Sequence, residues 1–418
     1  METSPVDTGA RLVELLRAGR LAEIPDMFPP SLRALVTPES VRAAWQAELD
    51  RHGAVATIGK PLSEPAGATG TLIRVPVSFE HGAVTVLATV AGDWLTSLQI
   101  AGPEAAQPTR EWQPPEYADP AALSEEDVTV GDGPLAVPGT LTVPAEQDIG
   151  AAIVLLAGSG PLDRDETIGR NKPFKDLAWG LAAQGIATLR FDKVTFAHPA
   201  EVARTAGFTV DDEYLHHALA AVELLRHRPG IDPARIFVLG HSLGGTVAPR
   251  VAAADPALAG LVIFGGGAQP MHWAAVRQFR YLGSPQQVID TVTRQAEAVD
   301  SPDLSPATPA TDLPFGVPAP YWLDLRGYDP AATAATLGKP MLILQGGRDY
   351  QVTVDDDLAR WRAALADRPD VTIRVHDADN HLFFAGTGPS KPVEYERAQH
   401  VDPAVVTDIS GWVQEVPS

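Results

Sequence analysis

The six residues Gly240-His241-Ser242-Leu243-Gly244-Gly245 follow the apolar run Ile236-Phe237-Val238-Leu239 directly and lead into TVAPRVAAA, a stretch of helix-compatible composition. A chain that turns this abruptly from strand to helix strains the residue at the bend and lifts its side chain above the sheet. Glycine on either side removes the Cβ atoms that would collide there. Ser242 therefore has the setting of a nucleophile. The plainer alternative is a glycine-rich turn whose serine caps the following helix.

A serine hydroxyl is a weak nucleophile near neutrality, so it needs a base, and the base needs a carboxylate to orient it. Both follow in the order Ser, Asp, His, each just beyond an apolar run. LILQGG is followed by Arg348-Asp349, and VTIRVH by Asp377, Asn380 and His381. Asp349 and His381 are the expected partners. Asp355, Asp356 and Asp357 fit better at the start of a helix, where carboxylates suit the positive end of the dipole. His376 closes a strand, His400 lies far beyond it, and His216, His217 and His227 decorate a helix. His241 sits beside the nucleophile, where packing and substrate contact are both open to it.

Acyl transfer also needs backbone N–H groups aimed at the developing oxyanion. The residue after the nucleophile, Leu243, supplies one. The loop Gly158-Ser159-Gly160-Pro161 directly follows AAIVLLA, and its Ser159 N–H is the expected second donor. Gly158 and Gly160, lacking side chains, let the backbone approach substrate closely. An ordinary Gly-Pro turn is the competing reading.

The elements that must hold these groups are apolar runs alternating with helices: AAIVLLAG, IATLRFD, RIFVLG, LVIFGG, PMLILQGG and VTIRVH. Such unbroken runs fit parallel strands covered on both faces, so residues 127–418 read as an α/β domain with a mostly parallel sheet, opened by a β-hairpin. Alternation lapses over about 268–338, which predicts a helical cap inserted between two strands. Its aromatic residues Trp273, Tyr321 and Trp322 are the expected lining of a substrate pocket, with Met271, Phe279 and Tyr281 near them, although packing explains each equally well. Ahead of this, residues 1–101 read as two helices followed by an antiparallel sheet, a small α+β domain, and residues 102–126 as a Pro- and Ala-rich linker. That first domain holds no catalytic constellation, so dimerisation or shaping of the cleft is its expected role.

Composition narrows the partners. The 418 residues carry 32 basic against 53 acidic side chains, a formal charge of −21, with nine basic and twelve acidic residues in the first 110. Such a surface repels nucleic acid and anionic membranes and disfavours strongly anionic substrates. With no cysteine there is no disulfide, thiolate nucleophile or Cys-type zinc site. The proposed chemistry calls for no metal and no organic cofactor. The first residues show no apolar run followed by a cleavage signature, and no later run is long enough to span a bilayer, so a cytoplasmic location is the expectation.

With these residues in place, segment 127–415 resembles the α/β-hydrolase superfamily. It is most similar to bacterial serine esterases carrying G-S-G-P-x-D-R-D after the third strand, which here is Gly158-Ser159-Gly160-Pro161-Leu162-Asp163-Arg164-Asp165. The resemblance implies an α/β-hydrolase fold and hydrolysis of carboxylic esters; with the acidic charge, a medium-sized neutral or apolar ester is the expected substrate, with lactones and acylated natural products also open. The N-terminal part is similar to the cone-shaped, nuclear-transport-factor-like domain that precedes such esterases. Two positions depart from the pattern: Ala157 stands where relatives carry His, and Val194 where they carry Arg. Asp163, Arg164 and Asp165 are expected to brace the loop through paired charges. Acyl transfer, thioester hydrolysis and ligand binding without catalysis are the alternatives on the same fold.

Overall fold

Residues 5–33, 35–66, 70–108, 112–145 and 150–417 are described by the computed structural model of the chain. Residues 109–111, within the expected linker, lie outside the described residues. The chain forms two compact units. One comprises Met1–Glu111, Ala275–Ala319 and Pro392–Glu396; the other comprises Trp112–Ala274, Pro320–Lys391 and Arg397–Ser418.

In the first unit, helix Pro5–Arg17 buries Leu12, Leu15 and Leu16, and helix Pro38–His52 starts where the Thr37 hydroxyl accepts the Ser40 N–H at 3.1 Å. Five antiparallel strands follow: β1 (Val55–Ile58), β2 (Leu62–Ala66), β3 (Gly70–Phe79), β4 (Gly82–Ala91) and β5 (Trp94–Ala101). They are ordered β1-β3-β4-β5, with β2 pairing to β3. Ile73, Val75, Val77 and Phe79 of β3, two residues apart, share one face and are buried in a core with Leu12, Ile24 and Trp45. Of the helical insertion expected over 268–338, residues 275–319 group with this unit. Their helix Gln286–Asp300 buries Val288, Val292, Ala296 and Val299 at three- and four-residue spacing.

The second unit is built on an eight-stranded sheet of β6 (Leu123–Val130), β7 (Val137–Pro144), β8 (Gly150–Leu156), β9 (Ala187–Phe191), β10 (Ile231–His241), β11 (Gly260–Phe264), β12 (Met341–Gly346) and β13 (Val371–His376). The order is β13-β12-β11-β10-β8-β9-β7-β6. The hairpin β6–β7 is antiparallel to its neighbours and all other pairs are parallel. Helices cover both faces of the central strands, which is why β8, β10, β11 and β12 are buried along almost their whole apolar runs, whereas the edge strand β6 is largely exposed. The chain leaves β8 toward β9 on one side and leaves β10 toward β11 on the other. The adjacent ends of β8 and β10 are thus a topological switch point, where a crevice opens beyond the strand termini. Both Ser159 and Ser242 lie in loops leaving that point. Among the described residues no helix is long and apolar enough to cross a membrane.

Candidate active site

At the end of β10 the backbone of Ser242 adopts φ 53° and ψ −118°. These are close to the torsions of the first central residue of a type II′ turn, a position that suits glycine. The bend is possible only because its neighbours lack side chains. A Cβ on Gly240 would lie 2.1 Å from Gly244 O, and one on Gly244 would lie 2.1 Å from Leu156 O. Ser242 donates its N–H to Phe264 O at 3.0 Å and accepts the first helical bond from Thr246. Although it stands at the N-cap of helix Leu243–Ala254, its side chain makes no cap bond. The capping alternative is thereby removed: the hydroxyl is uncommitted and half-buried, at the positive end of a helix dipole.

The residues expected from the last two strands come together with each other. His381 Nδ1 lies 2.7 Å from Asp349 Oδ2, and both side chains are buried. Asp349 is itself fixed: its Oδ1 accepts the N–H groups of Gln351 and Val352, and its Oδ2 also accepts from Gln345 Nε2. That arrangement holds the imidazole with Nδ1 protonated and leaves Nε2 as the basic nitrogen. Phe383 stacks on Phe264 at 3.7 Å, and the backbone of Phe264 is the acceptor for Ser242 N–H, so the His381 loop and the bend share one anchor. The competing groups are engaged elsewhere. His376 pairs with Asp408, and His400 with Asp176. Asp357 accepts from the N–H groups of Ala268, Gln269 and Thr353.

On the opposite side, Leu243 is the first residue of its helix, so its N–H has no partner within that helix. In the loop after β8 the Gly158 N–H is taken by Glu166 Oε1 at 2.7 Å, while Ser159 and Gly160 are exposed. Glu166 is 1% exposed, has φ 53°, and also holds His241 Nδ1 at 2.8 Å. His241 Nε2 meets His381 O at 2.9 Å. Burial alone would lower the His241 pKa, but the Glu166 carboxylate and the two hydrogen bonds more than offset it, and the ring is held above the ordinary imidazole value. A ring facing two acceptors donates from both nitrogens. His241 is therefore a buried bridge from Glu166, which holds the loop after β8, to the His381 backbone, and its burial corrects the expectation of substrate contact.

Sequence reasoning did not find Glu166, nor Lys193 and Tyr214, which converge on Gly158 O from β9 and helix Val210–Arg226. The one available signal was a lysine two residues after the apolar strand ATLRF, where solvation is poor. The charged trio after Pro161 is fully paired: Arg164 with Asp192, Asp165 with Lys172 and Arg190, and Asp163 with the Thr167 N–H and hydroxyl.

The aromatic candidates divide. Trp273 is half-buried. The Tyr321 hydroxyl is spent on Glu213 at 2.5 Å. Trp322 is 1% exposed and packs edge-on to His272, so it offers no surface to a ligand, contrary to expectation. Among the described residues no cluster of three His, Cys, Asp or Glu side chains is placed to hold a metal ion.

Two residues before His381, the buried Asp379 carboxyl is pushed up to about 7, first by burial and then by the charge of Asp402, with Arg348 opposing; His376 Nδ1 lies 4.0 Å away. In the unfolded chain it titrates near ~3.9. The folded state therefore keeps a proton that the unfolded state releases between about pH 4 and 7, and stability falls as pH rises through that window. Asp379→Asn is expected to raise the denaturation midpoint at pH 8, by on the order of 3 kcal/mol, and to change it little at pH 4. Chemical denaturation at the two pH values checks this; an equal effect at both would refute it.

The sheet order, its antiparallel hairpin at one edge, and a positive-φ serine between strand and helix define an α/β-hydrolase-type protein. The chain belongs to the same family as Esterase EstD of Thermotoga maritima, to which it is 38% identical over 395 residues, 93% of this chain and 90% of that protein. No family model matches the chain. Among solved structures it is similar to a 2,6-dihydroxy-pseudo-oxynicotine hydrolase, with 17% identity, 70% of this chain and 67% of that one covered, and a TM-score of 0.45. An esterase of Pyrococcus furiosus also matches, at 17% identity over 71% of this chain and 92% of that one, with a TM-score of 0.45.

Proposed function

We propose that the chain hydrolyses carboxylic esters through an acyl-enzyme on Ser242. The observation that carries this reading is a serine held at φ 53° without a cap bond, together with a buried Asp349–His381 pair whose loop is tied to the neighbouring His241. Kinship with Esterase EstD supports the same reaction. On binding of substrate the Ser242 hydroxyl and His381 Nε2 close to hydrogen-bond contact, since such bonds tighten in the Michaelis complex. Ser242 Oγ adds to the carbonyl carbon while Nε2 takes its proton. The N–H groups of Leu243 and Ser159 receive the oxyanion. Collapse breaks the bond to the alcohol oxygen, which leaves with the proton from His381. Water then repeats the sequence, with His381 as base, and releases the acid. Asp349 holds the ring and stabilises its cationic form. The excess of acidic residues favours a medium-sized neutral or apolar ester over an anionic one.

The test is labelling by a fluorophosphonate together with turnover of p-nitrophenyl esters of graded chain length. One adduct per chain on the peptide containing Ser242, with a burst of nitrophenol equal to the labelled sites, is the expected result. Hydrolysis that persists after Ser242 is completely labelled, or no hydrolysis of any acyl length, would overturn it.

A further inference from the structure

We propose that Lys193, with Tyr214, is a positioning residue that presents the Ser159 N–H to the oxyanion; the inference rests on the ester-hydrolase reading above. Lys193 is buried, and its three ammonium protons meet three acceptors: Gly158 O at 2.7 Å, the Tyr214 oxygen at 2.8 Å and Glu213 Oε1 at 3.1 Å. The Tyr214 hydroxyl lies 2.8 Å from Gly158 O and 2.9 Å from Ala157 O. Glu213 is balanced in turn by the hydroxyls of Thr195 and Tyr321. A buried ion pair is a poor device for stability alone, since apolar side chains of similar volume would fill the same space at lower desolvation cost.

What the pair does accomplish is to fix two consecutive peptide planes. In the Ala157–Gly158 unit the oxygen faces Tyr214 and the N–H faces Glu166. In the Gly158–Ser159 unit the oxygen faces Lys193 and Tyr214. Because a trans peptide directs its C=O and N–H oppositely, drawing this oxygen inward turns the Ser159 N–H outward. The loop at that point abuts the bend: a Cβ on Gly158 would lie 3.2 Å from Ser242 Cβ. The donor is thus set before substrate arrives, which is how an oxyanion site gains its effect without reorganising.

The experiment compares wild type with Lys193→Met and Tyr214→Phe, each counted by fluorophosphonate-labelled sites so that only folded, competent chains enter the rates. Lys193→Met is expected to lower kcat about 10- to 100-fold with KM within about threefold, and to weaken binding of an alkyl trifluoromethyl ketone, which forms an oxyanion on the serine, by a similar factor. Turnover of the matching thionoester, whose sulfur uses the N–H donors poorly, should fall much less. Tyr214→Phe should show the same pattern at about 3- to 10-fold, and carries the test if the methionine variant does not fold. Equal losses on ester and thionoester, or unchanged ketone affinity, would overturn the proposal while leaving the esterase reading intact. A wild type that neither labels at Ser242 nor hydrolyses esters would instead remove the parent reading, and this one with it.

Discussion

Ser242→Ala is expected to reduce ester turnover by about 10⁵- to 10⁶-fold, to the level set by binding and the oxyanion donors alone. His381→Ala should cost nearly as much, because hydroxyl and imidazole act as a unit and the second loss adds little to the first. Asp349→Asn should cost less, on the order of 10⁴-fold, since Asp349 orients the ring through a single 2.7 Å bond and does not touch the reacting atoms. The double variant Ser242→Ala/His381→Ala separates this account from three independent contributors. Rates within about threefold of the single serine variant confirm a unit, whereas a further loss of many orders of magnitude would mean that the two residues serve different steps. Folding is not at issue for Ser242→Ala, which removes only a hydroxyl that has no hydrogen bond among the described residues; the His381 and Asp349 variants are compared at equal folded fraction, measured by circular dichroism.

Gly244→Ala carries the largest expected effect on the fold. Its new methyl would lie 2.1 Å from Leu156 O, 2.7 Å from Ala157 O and 2.8 Å from Leu156 C, all backbone atoms at the end of β8 that cannot swing aside. Relief requires the helix to retreat from the sheet, opening packing around Leu243, Val247 and Val251, all buried. Destabilisation on the order of 3–5 kcal/mol is expected, with turnover reduced at least 10²-fold in whatever folds, because the Leu243 N–H is displaced together with the nucleophile. Gly411→Ala is the matched control. It sits within helix Pro403–Glu415, and an added Cβ meets nothing within 4 Å, so it should gain up to ~1 kcal/mol from helix propensity. One chemical change with opposite signs at two positions, read by urea denaturation, tests the steric argument directly.

The parts of the site that were legible in the sequence are those whose residue type is forced by local backbone. Gly240 and Gly244 are dictated by a bend a few residues long. Asp349 and His381 lie directly beyond apolar strands, so the strands located them. Glu166, Lys193 and Tyr214 were hidden for the opposite reason: their partners in the loop at 157–158 are 8, 35 and 56 or 57 positions away, and nothing nearby requires a charge or a phenol there. His241 was ambiguous because both of its nitrogens are satisfied by groups 75 and 140 residues distant. In the sheets the same division holds. The apolar runs of β8 to β13 announced themselves, while β2, the sequence LSEPA, contains proline and little apolar surface and becomes a strand only through its pairing with β3. Trp322 was read as pocket lining because aromatic type does not reveal which side of a helix faces the protein.

The torsions at residue 242 also set heat resistance against chemistry. A non-glycine side chain in this conformation costs on the order of 1–3 kcal/mol, and glycine would recover most of that after giving back ~0.5–1 kcal/mol of extra chain entropy. A library sorted purely by melting temperature would therefore discard the serine and keep a sturdier, inert protein. A hydroxyl kept at a positive-φ backbone position is what one expects if, as proposed, reactivity and not durability has decided the residue.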